Sequence, residues 1–308
     1  MKLRKIFNDF HPLTKLVFDV FMVIILAIVF FFISLSILSA LTGEPTSVLL
    51  QASKNPETDI IIVKYVQLIS SISIFLLPPL VIAFFFDKNP LNYYDLNKSA
   101  AFLNYFNVIF LIIISFPIVN FLAEFNRSLH LPASLSEIET AMKNMEETAK
   151  ILTDKLLNVS SINDLLFNLL LIAFIPALGE EIFFRGMLQK HFSELFKNKH
   201  IAIFVTAVIF SAIHFQFFTF IPRLFLGIIL GYLYVWSKSL WLNIFTHFTN
   251  NAVAVVAYFY MIRKGLNPEN LEQLGSSSQT LTYSIISIVF LFLILYFIRK
   301  NEMKSKML

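Results

Sequence analysis

Glu180 and Glu181 stand side by side in "ALGEEIFFRG" (Ala177 to Gly186), directly after the apolar run "LLFNLLLIAFIP". A carboxylate inside such a segment costs several kcal/mol unless it is paired or neutralised. Two further apolar stretches carry groups of the same kind: His214 ends "FSAIH", and His247 and Asn251 bracket "HFTNN". Glu181 and Arg185 are four apart, share a helix face and can neutralise each other. Glu180 is rotated about 100° away and is left over. His247 and Asn251 are also four apart, so both can point at one place.

One carboxylate, two imidazoles and an amide, shielded from bulk water, suit hydrolysis. Glu180 could take a proton from a water also held by His214. His247 and Asn251 could then donate to the oxyanion formed on a peptide carbonyl. Equally, Glu180, His214 and His247 are the kind of ligand set that holds a catalytic zinc, with a fourth position for water. Both readings use the same residues, and both stay open here. There is no "HExxH" zinc-protease helix. The absence of cysteine excludes disulfides, thiolate metal sites and Cys nucleophiles.

The elements that must position these groups follow from composition. Of 308 residues, 57% are hydrophobic, 36 are Phe and only 14% are charged. A soluble domain could not cover that much apolar surface, and several runs exceed the roughly 20 residues that cross a hydrocarbon core. The expectation is an all-α polytopic membrane protein, one bundle of eight transmembrane helices with a buried polar active-site cavity. Spans are expected at about 16–41, 60–86, 101–125, 162–184, 200–220, 222–236, 239–262 and 280–298. A rise of about 1.5 Å per residue puts Glu180, His214 and His247 at compatible depths, near mid-bilayer.

The segments on the side of the termini carry an excess of Lys and Arg over acids, and the opposite side the reverse. The positive-inside rule therefore places both termini in the cytoplasm, and the net charge of +4 records topology rather than nucleic-acid binding. The start "MKLRKIFNDFHPLTK" looks like a signal peptide, but 16–41 is too long for one, so the first span is expected to stay uncleaved. In the loop 126–160, a capping box from Ser134 to Glu137 is expected to open an amphipathic helix over about 134–157. Ile138, Met142, Met145, Ala149 and Leu152 would form its apolar face.

Other polar residues have plainer expectations. Asp19, Lys64 and Glu124 lie near span ends and should snorkel to water. Asn104, Asn107 and Asn120 should bond across helices. Pro78-Pro79 should kink the second span, and Gly227 and Gly231 should let another helix approach closely. The whole chain, 1–308, reads as one membrane domain with a catalytic core over about 160–262.

"EEIFFRG", "FSAIH" and "HFTNN", in that order on three separate spans, resemble the three signatures of the CPBP family. These are the CAAX prenyl endopeptidases and bacteriocin-processing enzymes, also called the Abi family. The resemblance covers about 175–255. It implies an eight-helix intramembrane endopeptidase with a cavity open to the cytoplasmic side. By similarity, Glu180 activates water with help from His214, and His247 and Asn251 form the oxyanion site or, with His214, contact a metal. Glu181 and Arg185 support the site as a pair.

The expected partners are a membrane-presented peptide or protein substrate and the lipid bilayer, with no nucleic acid. The Lys- and Asn-rich sequence leans towards a bacterial inner membrane. Two other functions compete. A bacteriocin-immunity or scaffold protein would tolerate Glu180→Gln. An ion-coupled transporter would also use Glu and His at mid-depth, but no repeated halves or paired broken helices are visible.

Overall fold

The computed structural model describes residues 10–52, 58–87, 89–268 and 278–306. The basic start at residues 1–9 lies outside them. The long helices are α1 (Pro12–Thr42), α2 (Ile60–Phe86), α3 (Phe102–Arg127), α4 (Ser136–Leu157), α5 (Ile162–Phe196), α6 (Lys199–Ala212), α7 (Phe220–Ser237), α8 (Leu240–Arg263) and α9 (Ser278–Ser305); most grow from apolar runs, whereas α4 is polar and amphipathic. The described residues contain no strand. The protein is an all-helical integral membrane protein.

Among the described residues, six helices are long and apolar enough to cross a bilayer: α1, α2, α3, α5, α7 with its preceding turn, and α9. The expected count of eight is thus not reproduced in full. α6 has only 14 residues, about 21 Å of helix against a core of about 30 Å. The expected fifth span to 220 breaks after Ala212 and re-forms as a turn at Phe217–Thr219. α8 is long, but Asn243, His247, Asn250 and Asn251 dilute its apolar content.

Local breaks in the helices prepare the site. α2 carries a π-helical stretch, Ile72–Leu76, just before Pro78 and Pro79. The carbonyl of Pro79 accepts the Tyr94 hydroxyl at 2.6 Å. α5 carries two such stretches, Leu169–Phe174 and Ile182–Gln189, the second starting right after Glu181. Single-turn π insertions of this sort gather at functional sites. α5 meets the π stretch of α2 at Gly179, where a Cβ would lie 3.1 Å from that of Phe75. Glu180 follows at once, so its height is set by this close approach.

α7 packs along α6, and α9 along α3. Gly227 and Gly231 make the first contact possible, since a Cβ on Gly231 would sit 2.6 Å from Ile203 Cγ2. Most of the large apolar side chains of α1 and α9 face outward, as lipid requires. Asn104 bonds across helices as expected, donating to the Ile298 carbonyl and to Glu302. Two expectations fail. Asp19 and Lys64 do not snorkel; Asp19 is buried against His191 at 2.6 Å, and Lys64 against Asp164 at 3.2 Å. A nearby partner replaces the water they would otherwise have to reach.

α4 forms where expected, but its N-cap is Leu135 with no side-chain cap bond, because Ser134 is used in a 3-10 turn. Its inward stripe is also rotated: Ile138 and Met145 point out, while Glu139, Met142, Glu146, Ala149 and Leu152 face in. Two glutamates take places where the sequence suggests apolar residues, and both find hydrogen-bond donors.

Candidate active site

Glu181 and Arg185 pair at 2.6 Å, and both are wholly buried. Arg185 sends its other terminal nitrogen to the Gly227 carbonyl, 3.1 Å away, and stacks over Phe210 with its guanidinium carbon 4.9 Å from the ring centre. The second Glu181 oxygen accepts from the amide of Asn243 at 3.3 Å, and that amide also donates to the Leu230 carbonyl. Glu181 therefore does more than balance an arginine. Its Oε1 also lies 2.9 Å from Nδ1 of His247. A carboxylate oxygen only accepts, so Nδ1 carries the proton and Nε2 is turned the other way.

What Nε2 faces is Glu180. The distance from His247 Nε2 to Glu180 Oε2 is 3.9 Å, too long for a hydrogen bond. Glu180 Oε2 is buried and has no hydrogen-bond partner among the described residues. Buried polar atoms are ordinarily satisfied, so such an exception asks for an explanation.

His214 lies just beyond the end of α6. Its Nδ1 is 2.7 Å from the Phe210 carbonyl, which again fixes the proton on Nδ1 and leaves Nε2 free to accept. The ring of Phe210 stands edge-on to both imidazoles, 5.2 Å from His214 and 5.9 Å from His247. One aromatic side chain thus spaces the two histidines and covers Arg185. Asn251 sits one turn beyond His247 on α8, where its amide donates to the Ile172 carbonyl at 3.3 Å and its oxygen accepts from Asn250.

The structure brings Glu180, Glu181, Arg185 and His247 into one cluster, with His214 across Phe210. Asn251 is held by α5 backbone. Among the described residues, no group of three His, Cys, Asp or Glu side chains is drawn together as a ready metal site. Sequence reasoning missed Asn243 and Phe210. Each had a signal, since Asn243 precedes His247 by four and Phe210 precedes His214 by four, the spacing of helical neighbours.

Residues 162–253, the segment that carries all of these groups, match the family described as type II CAAX prenyl endopeptidase Rce1-like. This segment is thus similar to that family. The uncharacterised protein YpbD of Bacillus subtilis (strain 168) is 32% identical over 123 residues, 38% of this chain and 58% of that protein. The chain thus spans somewhat over half the length of that curated relative. No solved structure matches the chain. The Rce1-like segment begins at the first residue of α5 and ends within α8, so α1 to α4 and α9 surround it as elements of their own.

Proposed function

We propose that the protein is an intramembrane endopeptidase that hydrolyses a peptide bond of a membrane-presented segment, with Glu180 as the base. The observation that carries this reading is the contrast within one pair of residues: Glu181 is saturated by Arg185, Asn243 and His247, while the neighbouring Glu180 keeps a buried oxygen without a protein partner, facing an imidazole nitrogen. A general base has to keep an oxygen for the proton it takes.

In this reading Glu180 Oε2 removes a proton from a water that attacks the scissile carbonyl, and passes it to the leaving nitrogen. His214 Nε2 accepts the water's second hydrogen and so aims its lone pair. His247 Nε2 faces the same place, and with the Asn251 amide, once turned from Ile172, it stabilises the oxyanion when protonated. Glu181 fixes the ring of His247, and Arg185 in turn fixes Glu181. The protein would sit in a bacterial inner membrane with both termini in the cytoplasm, as its pattern of basic residues suggests.

The test is cleavage of an internally quenched peptide library by detergent-purified full-length protein, wild type and Glu180→Gln, with elemental analysis of both. Glu180-dependent cleavage without stoichiometric metal supports the reading. Cleavage that needs about one zinc per chain replaces it with metal hydrolysis. Retention of cellular function by Glu180→Gln would move the protein to the scaffold or immunity class.

A further inference from the structure

Between α6 and α7 the chain leaves the helical state at the depth of the site. Lys197, Lys199 and Lys238 mark one end of this helix pair. From there α6 reaches only about 21 Å before it stops. Irregular backbone at such depth is tolerated only where the protein satisfies it. The loop that carries His214 is satisfied from several directions. Asn126 of α3 donates to the Phe217 carbonyl at 3.0 Å and accepts from the Ile221 amide at 2.7 Å. Ser211 donates to the Phe220 carbonyl, and Arg223 reaches the carbonyl and side-chain oxygen of Gln216. Glu146 of α4 accepts from the Phe218 amide at 2.8 Å and from the Thr219 hydroxyl at 3.4 Å.

The residue after His214, Phe215, has φ +52°, in the left-handed region. A bulky side chain stays there only when its surroundings over-determine it. α4 supplies part of that constraint from outside the Rce1-like segment, which starts only at residue 162. Its attachment is uneven. The buried residues of α4 are Leu156 and Leu157, near its C-terminal end, where Asp154 also accepts from the Tyr258 hydroxyl and Lys155 donates to the Thr58 carbonyl. Further back, contact with the loop is made by Glu146 and by Lys143, 6.0 Å from the ring centre of Phe218. The helix is a strap anchored at one end and latched in its middle by a carboxylate.

We propose that Glu146 is a positioning residue for His214, and that α4 latched on the Phe218 amide is the state in which the site turns over. The inference rests on the hydrolase reading for its kinetic part only. Glu146 touches neither the water nor the scissile bond; it acts through the backbone that holds His214 at its place.

The experiment uses the full chain in lipid nanodiscs, as wild type, Glu146→Ala and Glu146→Gln. Three quantities are read by variant: hydrogen exchange of the 215–221 amides, the rate of His214 carbethoxylation by diethyl pyrocarbonate, and kcat and KM on the internally quenched peptide that wild type cleaves best. Glu146→Ala should speed loop exchange about tenfold, change His214 reactivity about threefold and lower kcat about tenfold, with KM within about twofold. Glu146→Gln should keep all of these within about twofold, since its amide oxygen still accepts from Phe218. Exchange in α5 and α8 should not change, which separates a lost latch from a lost fold. Loop exchange and His214 reactivity equal to wild type in Glu146→Ala would overturn the proposal. So would a loosened loop with unchanged kcat. If wild type cleaves no peptide, the hydrolase reading fails, and exchange with carbethoxylation still decides whether the latch exists.

Discussion

Around Glu181 both carboxylate oxygens are in use, by a guanidinium, an imidazole N–H and an amide, and the residue is sealed from outside. Around Glu180, one position along the same helix, a buried oxygen meets His247 Nε2 at a distance that makes no bond. The two residues have the same chemistry and nearly the same depth. Their difference comes from rotation: about 100° of helix turns one towards Arg185 and the Asn243 and His247 side chains of α8, and the other towards His247 Nε2. Burying a charge is tolerable when its partners are complete. Leaving one incomplete is a cost that a fold carries where function needs the free valence.

The largest expected effect breaks the Glu180 side. Glu180→Gln removes the base and should lower kcat/KM by about a thousandfold, within the range general bases contribute. It should not lower the thermal midpoint, and it should raise it slightly, because an unpartnered buried carboxylate is replaced by a neutral amide. Measured together on peptide cleavage and thermal unfolding, activity and stability should move in opposite directions. A large loss of both would place Glu180 among the structural residues and erase the contrast.

Glu181 should give the reverse pattern. Glu181→Ala strands Arg185 without its carboxylate in a wholly buried place, and breaking such a pair costs about 3–5 kcal/mol. It also frees the ring of His247. The double change Glu181→Leu with Arg185→Met should cost much less stability than Glu181→Ala, since it removes both charges at similar volume. Chemical unfolding of the three variants measures this. Activity should stay low in the double variant, because His247 has still lost its orienting acceptor.

These residues were open to sequence reading in very different degrees. The Glu181–Arg185 pair follows from spacing alone, as do the helix ends of α2, α3 and α8, because apolar length and i, i+4 geometry are local properties. The break after Ala212 was not legible. "FSAIHFQFFTFIP" is mostly apolar, and its few scattered polar residues do not say that the helix stops at Ala212. The stop depends on Asn126 and Glu146, which come from α3 and α4, 95 and 72 positions away in the chain. The burial of Asp19 was hidden for the same reason, since its partner His191 lies on α5. Polar residues near helix ends read as snorkelling unless a distant partner is known.

A smaller effect tests the tight side through packing. The Gln189 amide donates to the Gly231 carbonyl on the face that also carries Arg185. A Cβ at Gly231 would meet Ile203 Cγ2 at 2.6 Å and Gln189 Oε1 at 3.1 Å. Gly231→Ala should therefore cost about 1–3 kcal/mol of stability by overpacking. Gly43, whose Cβ would meet nothing within 4 Å, sits at φ +76° and tests strain instead of space. If Gly231→Ala proves neutral in thermal unfolding, α6 and α7 are looser than the close approach implies.

The smallest effect comes from a third glutamate, which shows what water does to the same group. Glu139, on α4 and outside the spans, accepts from Lys143 at 2.7 Å, from His130 at 3.1 Å and from the Leu131 amide at 2.9 Å. Lys143 first, then His130 and the Leu131 amide, hold its carboxyl down at about 2, below the ordinary 4.5. A carboxylate whose pKa is lowered by folding contributes stability above its unfolded pKa and loses it as pH falls through the folded one. The contribution should thus be complete above about 4.5 and gone below about 2. Protection of the Leu131 amide, taken relative to its intrinsic exchange rate, should decline across that window, and Glu139→Gln should flatten the decline. Because solvent reaches Glu139, the same substitution should leave the global unfolding midpoint within error, as exposed ion pairs usually do. A global loss there comparable with that of Glu181→Ala would mean that completeness of partners, and not exclusion of water, sets the difference between the glutamates of this chain.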